Sequence, residues 1–123
     1  MTRTELIAAL EAAEGPSREL GDELAFALGW VCTPPVRGRC WIDPQGGKHH
    51  HRPDFLGSID AALSFTPEGW RVHEFQEADD GRWRCRVVRA QGRGGDSETG
   101  GWWRPTAAIA LCIANLKARE AQE

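Results

Sequence analysis

Residues 70–89, WRVHEFQEADDGRWRCRVVR, contain two strand-like runs separated by a turn, and they set the fold class of this chain. Residues 79–81, Asp-Asp-Gly, are typical of a tight hairpin turn. In the returning run, apolar and arginine residues alternate from Arg82 to Val87, which is the period of a strand with one buried face. The pattern predicts an antiparallel hairpin with strands at about 70–77 and 82–90.

Apolar residues at helical spacing surround this hairpin in the sequence. Asp54 is predicted to cap a third helix, and Pro105 is predicted to open the last helix. The strongest stripe belongs to that last helix and consists of Ile109, Cys112, Ile113 and Leu116. We therefore predict an α+β fold, a small layered helix–sheet domain. Its helices span about 3–13, 17–28, 55–64 and 105–120, and a third strand lies near 40–42.

The length of 123 residues suits a single domain, with residues 1–15 as a helix that either joins the core or forms an appendage. Residues 91–101 hold five glycines and are predicted to be a flexible loop. No apolar run reaches the roughly 18 residues of a membrane span, so we expect a cytoplasmic protein with reduced thiols. Cys85 and Cys112 are predicted to be buried, whereas Cys32 and Cys40 would pair only after export.

The net charge of the chain is −3, but two of its segments are basic. Residues 31–53 hold four bases and one acid, and residues 81–105 hold six arginines and two acids. These segments also carry four of the six tryptophans, and arginine beside exposed tryptophan suits a stacked anionic ligand. The alternative is a solvated strand face. The candidate ligand-binding residues are Arg37, Arg39, Trp41, Lys48, His49, His51, Arg52, Arg93, Trp102, Trp103 and Arg104.

The string Lys48-His-His-His-Arg52 is the most unusual in the chain. On a strand, His49 and His51 would share a face, which is one spacing that metal ligation uses. A polar, partly protonated loop and an anion contact are the other two interpretations. We predict no metal site and no cofactor, and we keep a metal-dependent enzyme through His49 and His51 as an alternative.

Three stretches together resemble a known family. They are PDFLGSIDAALSFTPEGWRVHEF (53–75), DGRWRCRVVRA (80–90) and RPTAAIALCIANLKARE (104–120), and ALGW (27–30) and WIDPQG (41–46) fit the same pattern. This profile resembles the phage ABA sandwich domain, over roughly residues 18–120. The family usually has a threonine before the proline that opens the last helix, whereas here Arg104 precedes that proline and Thr106 follows it. The resemblance implies a phage or prophage origin and a layered helix–sheet fold, and it implies no activity or catalytic residues.

The sequence shows no nucleophile motif and no phosphate-loop ending, so we expect a non-enzymatic binding protein. By analogy with small phage proteins, it would oppose bacterial immunity in the cytoplasm of an infected host. It would sequester a nucleotide second messenger or block a host defence protein. The alternative is a structural or regulatory phage protein that works as a homo-oligomer. We expect no membrane partner and no binding to double-stranded DNA, because no helix is strongly basic.

Overall fold

The computed structural model describes residues 1–33, 40–89, 97–99 and 104–121, which form four helices and two antiparallel sheets. This is the α+β class that the sequence predicts. The helices are α1 (Arg3–Ala12), α2 (Arg18–Ala27), α3 (Ile59–Leu63) and α4 (Ala107–Ala121). Sheet A contains β1 (Val31–Thr33), β2 (Cys40–Ile42) and β3 (Lys48–His49), and sheet B contains β4 (Trp70–Glu77), β5 (Trp83–Arg89) and β6 (Ser97–Thr99).

Helix α4 is the centre of the core. Every residue from Ala107 to Leu116 is buried, and a helix that is apolar all round must be covered on all sides. It contacts α1, α3, β5 and β6. Asn115 is fully buried in this helix, and its Nδ2 donates to the Ala62 carbonyl at 3.0 Å. That hydrogen bond ties α3 to α4.

The predicted hairpin is confirmed. Strand β4 pairs with β5 from Trp70 opposite Arg89 to Glu77 opposite Trp83. The turn closes where the Ala78 amide donates to the Arg82 carbonyl at 2.8 Å, and Gly81 has a φ of 83°, which glycine adopts without steric cost. In β5, Cys85 and Val87 are fully buried, as the alternation predicts.

The predicted strand near 40–42 forms, but it does not join the hairpin. It lies in the middle of sheet A, with β1 and β3 as its antiparallel neighbours. The reason is the turn at residues 43–47, which folds β3 back onto β2. In that turn the Asp43 amide donates to the Gly47 carbonyl at 2.8 Å.

The third helix is shorter than the predicted range of 55–64, because residues 54–57 form a separate turn. Asp54 Oδ1 accepts from the Gly57 amide at 3.2 Å, so Asp54 caps that turn and not the helix. Ser58 is the helix cap, and its hydroxyl accepts from the Ala61 amide at 3.3 Å.

In one continuous helix over 55–64, helical spacing would place Phe55, Leu56, Ile59 and Leu63 on one side, and the structure divides them. Phe55 and Leu56, on the preceding turn, are buried in the core. Ile59 and Leu63 are instead 42% and 41% exposed. Within α3 itself, Ala62 is the buried residue.

The last helix begins at Ala107, two residues after the predicted start. Thr106 Oγ1 accepts from the Ile109 amide at 3.0 Å, and the Thr106 carbonyl accepts from Ala110. Thr106 therefore acts as the N-cap, and Pro105 lies before the helix.

Helix α1 belongs to the common core. Its Leu6, Ile7 and Leu10 are buried in the same cluster as α4. The predicted burial of Cys85 and Cys112 is also confirmed, and it raises the pKa of Cys85 to about 12 and the pKa of Cys112 as well. Both thiols therefore stay protonated and unreactive near neutral pH.

Within the glycine-rich segment 91–101, residues 97–99 form β6 and pair with β5. The rest of that segment lies outside the described residues, so its flexibility stays a prediction. In the part of the chain that the structure describes, no helix has the length and apolarity to cross a bilayer.

Candidate functional site

The principal candidate site is a cleft of about 650 Å³, which we call the Trp30 cleft. It lies where the end of α2, the 43–47 turn, the segment after α3 and the end of α4 meet. Its size falls in the range of about 300–1,000 Å³ that is usual for small-molecule sites. Its apolar lining is Leu28, Trp30, Pro44, Pro53, Phe55, Phe65 and Pro67, and its polar lining is Asp43, Gln45, His49, Ser64, Thr66, Glu68 and Arg119.

Asp43 organises one side of the Trp30 cleft. Its Oδ1 accepts from the Gln45 and Gly47 amides at 2.9 and 2.8 Å, and its Oδ2 is paired with His49 Nε2 at 2.8 Å. The His49 hydrogen bond and these backbone amides hold the pKa of Asp43 below its ordinary value. A Cβ at Gly47 would lie 2.5 Å from the Asp43 carboxylate, so glycine is needed for this close approach.

His49 and Trp30 form the aromatic wall of the cleft. Their ring centroids are 5.3 Å apart with the planes tilted by 52°. The His49 side chain is 44% exposed, so a ligand can reach the imidazole. Because Asp43 fixes the imidazole from one side, the ring pair is a preformed aromatic wall, and a flat ligand can stack on one ring while it meets the other at an angle.

Arg119, near the end of α4, supplies a cation to the same cleft. It is partly buried, and the structure gives it no ion pair or hydrogen bond within the described residues. Glu68 and Thr66 line the cleft from the turn before β4. The Thr66 hydroxyl is buried and has no hydrogen-bond partner among the residues that the structure describes.

A second, smaller cleft of about 380 Å³ is lined by Arg18, Asp22, Trp41, His51 and Arg52. Its main cation is already engaged. Arg52 Nε donates to Asp22 Oδ1 at 2.7 Å, and its terminal nitrogens donate to the Arg18 and Pro53 carbonyls at 3.0 and 3.1 Å. We call this arrangement the Arg52 cluster. It fastens the segment after β3 to α2, because Asp22 and Arg18 belong to that helix.

The sequence candidates therefore do not form one site. His49 lies in the Trp30 cleft, whereas Trp41, His51 and Arg52 line the smaller cleft. Lys48 is exposed on β3. Arg104 lies elsewhere, where it donates to the Glu11 carbonyl at 2.7 Å. The remaining candidates lie outside the described residues, namely Arg37, Arg39, Arg93, Trp102 and Trp103.

Sequence reasoning missed Trp30 and Arg119 as site residues. Trp30 follows a helix end and suggests packing, and Arg119 near the end of α4 suggests an interaction with the helix dipole. The cleft brings them together from positions almost ninety residues apart. The local signal for Arg119 is a group of charged residues, Lys117, Arg119 and Glu120, at the end of a helix that is apolar over most of its length.

His49 and His51 do not share a metal-like arrangement, because β3 ends at His49 and the two side chains line different clefts. Among the described residues, no group of three or more histidine, cysteine, aspartate or glutamate side chains is placed to hold a metal ion. What the Trp30 cleft can do chemically is stack a flat group and pair with one acidic group.

The charge of Asp43 is expected to stabilise the fold above its ordinary pKa of 3.8. Because the folded pKa is lowered, this contribution is lost as the pH falls through the folded value. We expect Asp43→Asn to lower the urea midpoint at neutral pH, and we expect this deficit relative to the parent to shrink as the pH falls below 3.8. Asp79→Asn, on the exposed hairpin turn, is the control and should show no such difference. A deficit of Asp43→Asn that is the same at all pH values would contradict this account.

No protein-family model matches this chain, and neither the curated proteins nor the solved structures give a match. The resemblance to the phage ABA sandwich domain therefore stays a prediction, and the site is interpreted from its own geometry.

Proposed function

We propose that this chain is a binding protein that captures a small aromatic ligand in the Trp30 cleft and performs no chemical step on it. The observation that carries the proposal is a cleft of about 650 Å³ whose wall is the Trp30–His49 ring pair. Apolar walls with a few convergent polar groups are the usual composition of a small-molecule site. In the phage setting that the resemblance implies, the ligand is a nucleotide signal of bacterial immunity, and capture opposes that immunity.

The Trp30 cleft supports the capture of a ligand better than the described part of the basic segments does. A nucleobase or similar ring gains stacking against Trp30 and burial against Phe65. Asp43 and His49 are held in place by hydrogen bonds before any ligand arrives, which lowers the entropic cost of binding. In contrast, Arg52 already has three acceptors, so phosphate capture by Arg52 would cost those bonds.

A second candidate is an interaction protein that works as a homo-oligomer or blocks a host protein. The observation that favours it is exposed apolar surface, since Phe26 is 48% and Val31 is 55% exposed. Val31 also lies on β1, an edge strand of sheet A. Sedimentation equilibrium tests this candidate, because a strict monomer at high concentration would contradict the oligomer.

Calorimetry tests the ligand proposal. The full chain is titrated with adenosine, its cyclic and open monophosphates, cyclic dinucleotides and aromatic carboxylates. We expect at least one of these to bind with a Kd of about 10 μM or tighter, which corresponds to about −7 kcal/mol. The absence of heat with every member would overturn the proposal.

A cleft-blocking variant locates the binding. Gln45 lines the Trp30 cleft and is exposed, so Gln45→Trp places an indole over it while the backbone bond to Asp43 is kept. We expect at least about tenfold weaker binding. Gln76→Trp, at an exposed position of β4, is the matched control and should bind like the parent. Equal affinity of parent and Gln45→Trp would overturn the location.

A further inference from the structure

Strand β4 is the longest of the described strands, with eight residues, and it lies at the edge of sheet B. Strand β5 pairs with one side of it, and among the described residues no strand pairs with the other side. Helix α4 packs mainly against β5 and β6 of this sheet. The open edge of a strand offers backbone N–H and C=O groups to which another strand can bind. Strand β4 contains neither proline nor lysine, two residues that commonly block such an edge.

A β-bulge decides which side chains of β4 share a face. Val72 and Phe75 lie opposite Val87 and Cys85 of β5, and both of these partners are fully buried. Val72 and Phe75 therefore both face the core although they are three residues apart, because the bulge before Glu74 adds one residue to β4. The core face of β4 consists of positions 70, 72, 75 and 77, and its outer face of positions 71, 73, 74 and 76.

This spacing is symmetric about the middle of the strand, so β4 can pair with a second copy of itself. We consider two copies of β4 that lie antiparallel about a two-fold axis. When position 70 of one copy meets position 77 of the other, all four core-face positions lie opposite core-face positions. The four outer-face positions then also lie opposite each other, and no other two-fold register achieves this. The bulge, which elsewhere twists an edge away from other strands, here lies opposite its own copy.

The side chains that meet in this register are complementary. Val72 lies opposite Phe75 of the second copy, and both are only partly buried at the margin of the core. The exposed His73 lies opposite Glu74 of the second copy, so an imidazole meets a carboxylate. The symmetry makes each of these contacts occur twice. A shift by one residue places His73 opposite His73 or Glu74 opposite Glu74, and it also mixes the two faces.

We infer that the free edge of β4 binds a second copy of this chain, so that two copies of sheet B form one six-stranded sheet. Pairing along one strand buries less surface than a standard protein interface, so the dimer is weak and depends on concentration. None of the residues that line the Trp30 cleft belongs to β4, so this association is independent of ligand capture. It also differs from the apolar surface at Phe26 and Val31, where β1 offers an edge of only three residues.

Sedimentation equilibrium of the full chain, up to about 500 μM, tests this inference with variants at His73. We expect a monomer–dimer equilibrium with a Kd of about 100 μM or tighter. His73→Lys places a full positive charge opposite Glu74 and should tighten the dimer about three- to tenfold, a gain that a misfolded variant cannot imitate. His73→Glu places like charges opposite each other and should weaken it at least about tenfold. His50→Lys and His50→Glu make the same changes at an exposed position outside β4 and should leave the equilibrium unchanged.

An isotope-filtered NOE experiment on a mixture of labelled and unlabelled chain locates the contact. We expect NOEs between copies that join the Val72 methyl groups to the Phe75 ring. Contacts between copies at Phe26 and Val31, or equal responses to the His73 and His50 variants, would overturn the β4 edge and leave the oligomer candidate standing. A strict monomer at the highest concentration would overturn both. Neither result bears on ligand capture, which calorimetry tests separately.

Discussion

Ile113→Ala is expected to lower the free energy of unfolding by about 3–4 kcal/mol, the largest stability effect that we predict. Ile113 is fully buried in the middle of α4, and this helix contacts α1, α3 and sheet B. The truncation removes transfer free energy and leaves a cavity that elements on several sides must close. Domains of this kind have total stabilities of only about 5–15 kcal/mol, so the variant would be close to unfolding.

Urea denaturation followed by circular dichroism measures this effect. Ile59→Ala is the matched control, because it removes the same atoms from a side chain that is 42% exposed on α3. We expect it to cost less than about 1 kcal/mol. A similar cost for both variants would mean that α4 is not the central element of the core.

Arg52→Met is expected to cost about 2–4 kcal/mol, because it removes one charge and leaves three acceptors to find other donors. The Arg52 side chain is only 13% exposed, and its guanidinium lies 5.8 Å from the centre of the Trp41 ring. Methionine keeps the apolar stem, so the loss reports mainly on the hydrogen bonds. Urea midpoints measure the change in stability. The control is Arg71→Met, at an exposed position of β4.

The ion pair between Arg52 and Asp22 can be isolated by a double-mutant cycle. Asp22→Asn and Arg52→Met are made singly and together, and the coupling energy is taken from the four stabilities. We expect a coupling of about 1–2 kcal/mol, since both groups are partly buried and 2.7 Å apart. Additive effects would show that Arg52 acts through its carbonyl contacts and Trp41 alone.

The hairpin was predictable from sequence because its information is local. Turn residues 79–81 and the alternation after Arg82 lie within a few residues of each other, and the observed strands match them. The start of α4 was harder, because Pro105 and Thr106 both favour a helix beginning. The hydrogen bond from Ile109 to Thr106 decides between them, and sequence pattern alone does not weigh such bonds.

The burial of α4 on all faces was predicted only in part. The stripe from Ile109 to Leu116 marks one face, whereas the alanines between these residues suit a helix surface as well as close packing. Their burial depends on α1, α3 and sheet B arriving from distant parts of the chain. The periodicity of one helix does not indicate which other elements pack against it.

The candidate site was predictable only at His49. The histidine run indicated this position, but His49 is bonded to Asp43 in the Trp30 cleft, whereas His51 lines the smaller cleft. Trp30 and Arg119 come together only when α2 and α4 are packed, so no spacing in the sequence indicates that they share a site. For the same reason, the basic character of residues 31–53 was misleading for Arg52, whose charge is used inside the fold.

The most direct test of the central claim is a ¹H–¹⁵N correlation spectrum of the labelled chain, recorded with the panel member that binds most tightly. If the Trp30 cleft is the ligand site, the Trp30 indole resonance should shift together with the amides of Arg119 and of the non-proline residues within 43–49 and 64–68. The indole resonances of Trp41, which lines the smaller cleft, and of Trp70, which lies on sheet B, should stay in place. Shifts centred on Trp41 and His51, or spread without relation to the cleft, would contradict the account.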